Sequence, residues 1–274
     1  LTVIIFLTVV RSICCAQDPG LKADSLTKEW HKSILYGLDT ARQDTSRVLL
    51  TAELANYYKF YLPDSALFYA QKTLALARQI KFPKGEVKAL MYTTMAQLVL
   101  GNDAKALQIN LLGLKIAEKN NLVYDKAQLL SLLGTIYNGI KNHRKALDLF
   151  KNSKALFDSL HDFTYSSLQQ TSIGETYLML NQTDSALSYC QSAYENAVKL
   201  NEQGWLKHGM LLNLGRIQDK NDSVDLALAY FRQSLGEASD AGGFFASYFS
   251  IAQLYQKVNK PDSCIFYAKK TLEI

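Results

Sequence analysis

Apolar residues recur every three or four positions along most of the chain, in stretches of about 18 residues separated by short polar clusters. In one such stretch Ala146, Leu149, Phe150, Ser153, Leu156 and Phe157 fall on one face at helical spacing, so the segment reads as an amphipathic helix. The polar clusters are Gly101-Asn102-Asp103, Lys141-Asn142-His143, Asn181-Gln182-Thr183-Asp184 and Asn259-Lys260-Pro261-Asp262. These are turn and N-cap chemistries, and Pro261 opens a helix where its missing N–H costs nothing. Leu21 to about Leu38 reads as a further helix with Trp30, Ile34 and Leu35 as its stripe, and Asp39–Arg47 reads as a polar connection.

The helical stretches repeat. A small residue followed by an aliphatic one occurs at Ala66-Leu67, Ala106-Leu107, Ala146-Leu147, Ala186-Leu187, Ala227-Leu228 and Cys264-Ile265, at spacings of 40, 40, 40, 41 and 37. Upstream of each pair stands a second small residue: Ala55, Thr94, Gly134, Gly174, Gly215 and Ala252. A third small position follows at Thr73, Gly113, Ser153, Ala193, Ser234 and Thr271. Gly134, Gly174 and Gly215 each cost about 1 kcal/mol against Ala inside a helix, so their recurrence in one register points to close helix approach. No single helix pair buries its apolar face alone; neighbours must stack.

Gly134-Thr135-Ile136-Tyr137 followed by Lys145-Ala146-Leu147-Asp148-Leu149-Phe150 resembles the tetratricopeptide repeat (TPR), as does Ile173-Gly174-Glu175-Thr176-Tyr177 followed by Asp184-Ser185-Ala186-Leu187. The resemblance runs from about Arg47 to Ile274 and implies an all-α, right-handed superhelical solenoid of about six antiparallel helix pairs. Three features depart from the family pattern: the period is 40 rather than about 34, the step from Ala55 to Ala66 in the first repeat is 11 positions where the others step 12, and the closing proline is missing. The domain expectation is a leader over 1–16, an N-terminal helix and connection over 17–46, and six repeats over 47–274.

Leu1–Val10 is almost unbroken apolar, too short to span a bilayer, and is followed after Arg11 by Cys14, Cys15, Ala16 and Gln17. It fits the hydrophobic part of a secretory signal with a cut before Gln17 and a truncated start, although Arg11 is awkward there. The final helix stops at Ile274 without a cap, as if the chain were cut within its architecture. Together with the opening run Asp44-Thr45-Ser46-Arg47-Val48-Leu49-Leu50, the leader resembles the exported sensor region of Bacteroidetes-type TPR histidine kinases. That resemblance implies an extracytoplasmic sensory role, with any kinase activity, membrane segment and kinase-linked homodimer lying beyond Ile274. The alternative is a free-standing periplasmic or cytoplasmic scaffold without an output domain.

Composition narrows the chemistry. The 274 residues are 48% apolar and 20% charged with a net charge of +5, enough for a large core and too little for nucleic acid. His31, His143, His161 and His208 are spread along the chain and read as surface or turn histidines. His143 and His161 lie about 27 Å apart at opposite ends of one helix. Cys190 and Cys264 sit two repeats apart in small core positions, beyond disulfide reach. Asn181-Gln182-Thr183 and Asn221-Asp222-Ser223 match the glycosylation sequon but read as turns, and Gly242-Gly243 reads as a connection. The expectation is a non-catalytic chain with no cofactor and no metal site.

The TPR resemblance implies that the first helix of each pair lines a groove for a protein or peptide. Its residues would be Asn56, Lys59, Lys88, Met91, Met95, Gln128, Thr135, Asn138, Glu175, Leu178, Arg216, Asp219, Phe249, Gln253 and Gln256. Charges of both signs are mixed, and the Lys/Asn/Arg clamp that holds a C-terminal carboxylate in some relatives is missing. Met91, Met95 and Phe249 are the apolar anchors of this set.

Overall fold

The polar clusters perform one task nine times among the described residues. At each of these junctions a residue takes a positive φ: Lys81, Gly101, Asn121, Lys141, His161, Asn181, Asn201, Asp222 and Asn259. The next backbone N–H then reaches back to a carbonyl five residues earlier, as in Asn102→Gln97 at 2.8 Å, Gln182→Tyr177 at 2.9 Å and Lys260→Tyr255 at 2.9 Å. This closes the orphan carbonyls of the outgoing helix and starts the next one at once. Asparagine tolerates that conformation better than most side chains, which explains its frequency there. The capping expectation is corrected at most of these junctions. Asp44 and Asp162 accept backbone N–H bonds as N-caps, whereas Asn102, Gln182 and Ser223 stand at N-cap positions without a side-chain bond.

The computed structural model describes residues 25–40, 44–59, 62–202, 204–239 and 241–274. The leader over 1–16, Cys14 and Cys15 with it, and the helix start at Leu21 lie outside them. In chain order the helices are α1 (Ser25–Thr40), α2 (Thr45–Tyr58), α3 (Pro63–Gln79), α4 (Pro83–Val99), α5 (Asp103–Lys119), α6 (Val123–Gly139) and α7 (His143–Ser159). They continue as α8 (Phe163–Met179), α9 (Thr183–Lys199), α10 (Gly204–Lys220), α11 (Val224–Glu237), α12 (Ala241–Lys257) and α13 (Pro261–Leu272). Pro63, Pro83 and Pro261 each open a helix. No described helix is long and apolar enough to cross a membrane. The architecture is all-α among the described residues, and the even-numbered helices from α2 onward are the first helices of the repeats.

The chain forms two compact units, residues 1–156 and 157–274. In the first unit, α2 packs on α3 and also on α4, and α4 packs on α5 and also on α6. In the second, α8 packs on α9 and α10, and α10 packs on α11 and α12. Within each unit, therefore, the first helices touch one another as well as their partners, and they form its inner row.

The small register positions make this packing physical. A Cβ on Gly134 would stand 2.7 Å from the Phe150 ring, and one on Gly215 would strike the ring of Phe231. A Cβ on Gly174 would meet the Cys190 sulfur. Where the second helix carries Phe150 or Phe231, the first carries Gly; at the equivalent positions elsewhere Ala55, Ala70, Thr94 and Asn110 are all buried. Ser153 at the third small position donates to the Ala127 carbonyl at 2.7 Å, tying α7 to α6 in the first unit.

Several expectations change. Helix α1 continues to Thr40 and α2 starts at Thr45, inside the stretch read as a connection. Ile34 is buried but Leu35 is exposed, so the stripe of α1 is narrower than its composition, and Trp30's side chain is outside the description. Gly242-Gly243 lies in the first turn of α12, because the chain break falls earlier, at the extended Ala238. Cys190 is fully buried and burial raises its thiol pKa, whereas Cys264 is only half-buried on α13. His208 is a buried histidine of α10: its Nε2 lies 3.0 Å from the Gly243 carbonyl and 3.1 Å from Ser247 Oγ, which in turn meets Ser234 Oγ at 2.9 Å.

Candidate functional site

Equal register on successive first helices brings side chains to one row. In the first unit Asn56, Met95 and Thr135 stand one residue after the small positions of α2, α4 and α6, and all are half-buried. Asn56 donates to Glu53 Oε2 at 3.0 Å, and its carbonyl oxygen accepts from the Lys59 ammonium. Burial pulls the Lys59 pKa down to about 8 even with Glu53 nearby. Thr135 donates to its own helix at Ser131, so its hydroxyl proton is engaged. Lys88 Nζ lies 6.0 Å from the Tyr92 ring centroid.

Two expected lining residues of this unit turn inward. Met91, 5% exposed, belongs to a core cluster with Val87, Tyr92 and Leu129, and Met95 packs against the same cluster from the side. Asn138 is buried near the C-terminal end of α6, its Oδ1 3.0 Å from Nδ1 of His143 at the start of α7, so it braces that junction. Gln128 remains half-exposed as a residue while its Oε1 is buried and without a hydrogen bond. Sequence reasoning missed Asp125, one turn earlier on α6. It is buried where the same register elsewhere holds Gly85 and Leu206, with Oδ1 unpartnered. Desolvation raises its carboxyl pKa, against the pull of Lys88 and Lys84.

The second unit holds the more developed arrangement. Glu175, Arg216 and Gln253 occupy the equivalent position on α8, α10 and α12. Glu175 Oε1 and Arg216 Nη1 stand 4.0 Å apart, too far for a direct hydrogen bond. Asn213, one turn before Arg216 and only 4% exposed, holds the arginine: its Oδ1 accepts from Arg216 at 3.2 Å. Burial raises the Glu175 pKa and lowers that of Arg216, in each case opposed by the other's charge. The two side chains nonetheless keep 32% and 29% of their surface. Their heads lie side by side, each about a third exposed, on neighbouring first helices of the unit. Asn213 was not among the expected residues; an Asn inside Leu211-Leu212-Asn213-Leu214 was the available signal.

Nearby charges serve as fasteners. Lys257, the last residue of α12, donates to the Asp219 carbonyl, to Asp219 Oδ1 and to Asp222 Oδ1 at 2.8–2.9 Å. Lys220 ends α10 in the same way, on the Leu178 carbonyl at 3.0 Å and on Asn181 Oδ1. Asp219 is thus engaged in joining α10 to α12. Leu178 packs partly buried beside Leu214 and Ile217, Phe249 is half-buried and stacked on Phe245 at 5.9 Å, and Gln253 and Gln256 are exposed. Among the described residues no three His, Cys, Asp or Glu side chains come together as metal ligands.

Solved structures give this arrangement its class. The apo form of RapI is similar over 100% of this chain and 97% of its own, at 12% identity and a TM-score of 0.66. NprR in complex with its cognate peptide NprX is similar over 97% and 76%, at 14% identity and 0.68. A Podospora anserina putative kinesin light chain with nearly identical TPR-like repeats matches 72% of this chain and 97% of its own, at 14% and 0.54. The fold is TPR-like. No family model matches the sequence. The Xenopus laevis outer dynein arm-docking complex subunit 4 is 28% identical over 143 residues, 52% of this chain. The chain spans about a quarter of that relative's length (26%).

Proposed function

We propose that this TPR-like chain is a non-catalytic module that binds a peptide, or an extended segment of a protein, along its first helices. The observation that carries the reading is the pair Glu175 and Arg216 on α8 and α10, about a third exposed and without a hydrogen bond to each other, with Asn213 accepting from Arg216. Likeness to NprR, solved with a peptide bound, supports the choice of ligand. The half-exposed Asn56, Lys59, Lys88 and Gln128 extend the reading to the first unit.

The test is a selection of random linear peptides on the 274-residue chain, followed by hydrogen exchange with and without the selected peptide. Protection concentrated on α8, α10 and α12, or on α2, α4 and α6, is the expected result. Protection of the second helices alone would place the ligand elsewhere, and no peptide above background would end the reading.

The proposal extends to place and role: an extracytoplasmic sensory module of a bacterial signal-transduction protein, supported by the apolar run Leu1–Val10 and the small residues before Gln17. In this reading any membrane anchor or dimer contact belongs to other parts of a longer protein. Expression with its own leader should yield a mature chain beginning at Gln17; a mature chain that retains Leu1–Ala16 would favour the scaffold reading.

A further inference from the structure

The Glu175–Arg216 pair of the second unit is specific about what it can hold. Glu175 and Arg216 face each other at 4.0 Å without a direct hydrogen bond, and the buried Asn213 accepts from Arg216 at 3.2 Å. Leu211, Leu212 and Leu214, each 5% exposed or less, surround Asn213 in sequence and anchor its stretch of α10. Arg216 is therefore held in place by Asn213 rather than by Glu175. Arg216 carries five N–H donors and uses one on Asn213; Glu175 is an acceptor with lone pairs to spare. The result is a donor fork beside an acceptor pair, open on one side.

Charge decides the ligand class. The two heads cancel, and both are partly desolvated. A charged group of either sign would pair with one head and leave the other uncompensated in that environment, which is costly. A neutral group with an N–H and a C=O on one edge satisfies both heads and adds no charge. Two parts of a peptide have that edge: the primary carboxamide of an Asn or Gln side chain, and the N–H and C=O of a single extended residue, which point to the same side as they do across an antiparallel strand pair.

We infer that Glu175, Asn213 and Arg216 read one neutral amide edge of the ligand, with the ligand C=O accepting from Arg216 and the ligand N–H donating to Glu175. This rests on the peptide-binding reading above and assigns it a subsite. Asn213 is the positioning residue and makes no ligand contact of its own.

The experiment uses the peptide selected on the full chain, labelled for fluorescence anisotropy. Glu175→Gln and Arg216→Gln should each weaken binding at least tenfold. On the unaltered protein, a scan that N-methylates one residue at a time, and replaces each Asn or Gln by Asp or Glu, should find one position that weakens binding to a similar degree. Loss on N-methylation identifies the main-chain edge, and loss on the acid replacement identifies the carboxamide. That modification should cost nothing further in the Glu175→Gln protein, because one contact cannot be lost twice. The scan needs no altered protein, so it stands even where a variant fails to fold.

Binding unchanged within twofold in both variants, or additive losses in the combined experiment, overturns the subsite while leaving peptide binding intact. Dependence on an acidic or basic ligand side chain that disappears with the Glu175 or Arg216 variant overturns the neutral-edge assignment. Failure to select any peptide removes the subsite together with the reading beneath it.

Discussion

At the scale of single residues, a glycine's value here depends on what stands opposite. Gly134→Ala would drive a methyl to 2.7 Å from the Phe150 ring and should cost about 1–3 kcal/mol in denaturant unfolding, eased by Phe150→Leu. Gly209, also helical, has nothing within 4 Å of a Cβ, so Gly209→Ala should stabilise by about 0.5–1 kcal/mol. Asp125 gives a second contrast. Its folded pKa lies above the unfolded value, so its contribution favours folding below the unfolded pKa and is lost as pH rises through the folded one. Asp125→Leu, the residue type that α10 uses at the same register, should therefore raise stability at pH 7 by about 1 kcal/mol, and the gain should shrink as pH is lowered toward 4. Unfolding curves of both proteins across that range check it, and a gain that grows on acidification would contradict it. Glu175 and Arg216 were legible in the sequence because they share a register. Asn213 was not, since helical periodicity treats every position on the buried face as apolar and a buried Asn shows its partners only in three dimensions.

The helices themselves were legible because period and turn agree: a buried stripe every 40 residues and a break between stripes leave little freedom in where each helix runs. The chemistry of the break was less so. Asn, Asp and Lys at the junctions looked like caps of the incoming helix, whereas the structure uses them to leave the outgoing one through a positive φ. The backbone angle, invisible in composition, decided the matter. Lys81, exposed at φ 53°, should gain about 1 kcal/mol on replacement by Gly, while Gly101→Ala at φ 74° should lose a similar amount. Thermal melts of the two variants test the sign in both directions. Gly242-Gly243 failed as a sequence signal for the opposite reason: two glycines that normally end a helix lie within the first turn of one, where the buried His208 meets the Gly243 carbonyl.

For the molecule as a whole, burial is distributed unevenly along the stack. Helix α4 buries 11 of its 17 residues, whereas α13 has none in the buried class. In a one-dimensional array each helix is held by its immediate neighbours, so local opening should follow that gradient. Hydrogen exchange of the 274-residue chain should show α13 exchanging fastest and α4 among the slowest; equal protection of the two would mean that the array opens as one body. The architecture was readable at this scale from six markers in register, but the division at residue 156 was not, because the markers run through α7 without a change of spacing. The repeated junction has a consequence for how such a chain can change length. Its backbone passes through the same geometry at nine described junctions, so a segment excised or copied between two matching junctions of one unit has ends that already fit. Duplication of one such stretch of coding sequence would lengthen the array without inventing a turn, and the new residues would enter already in frame with the old.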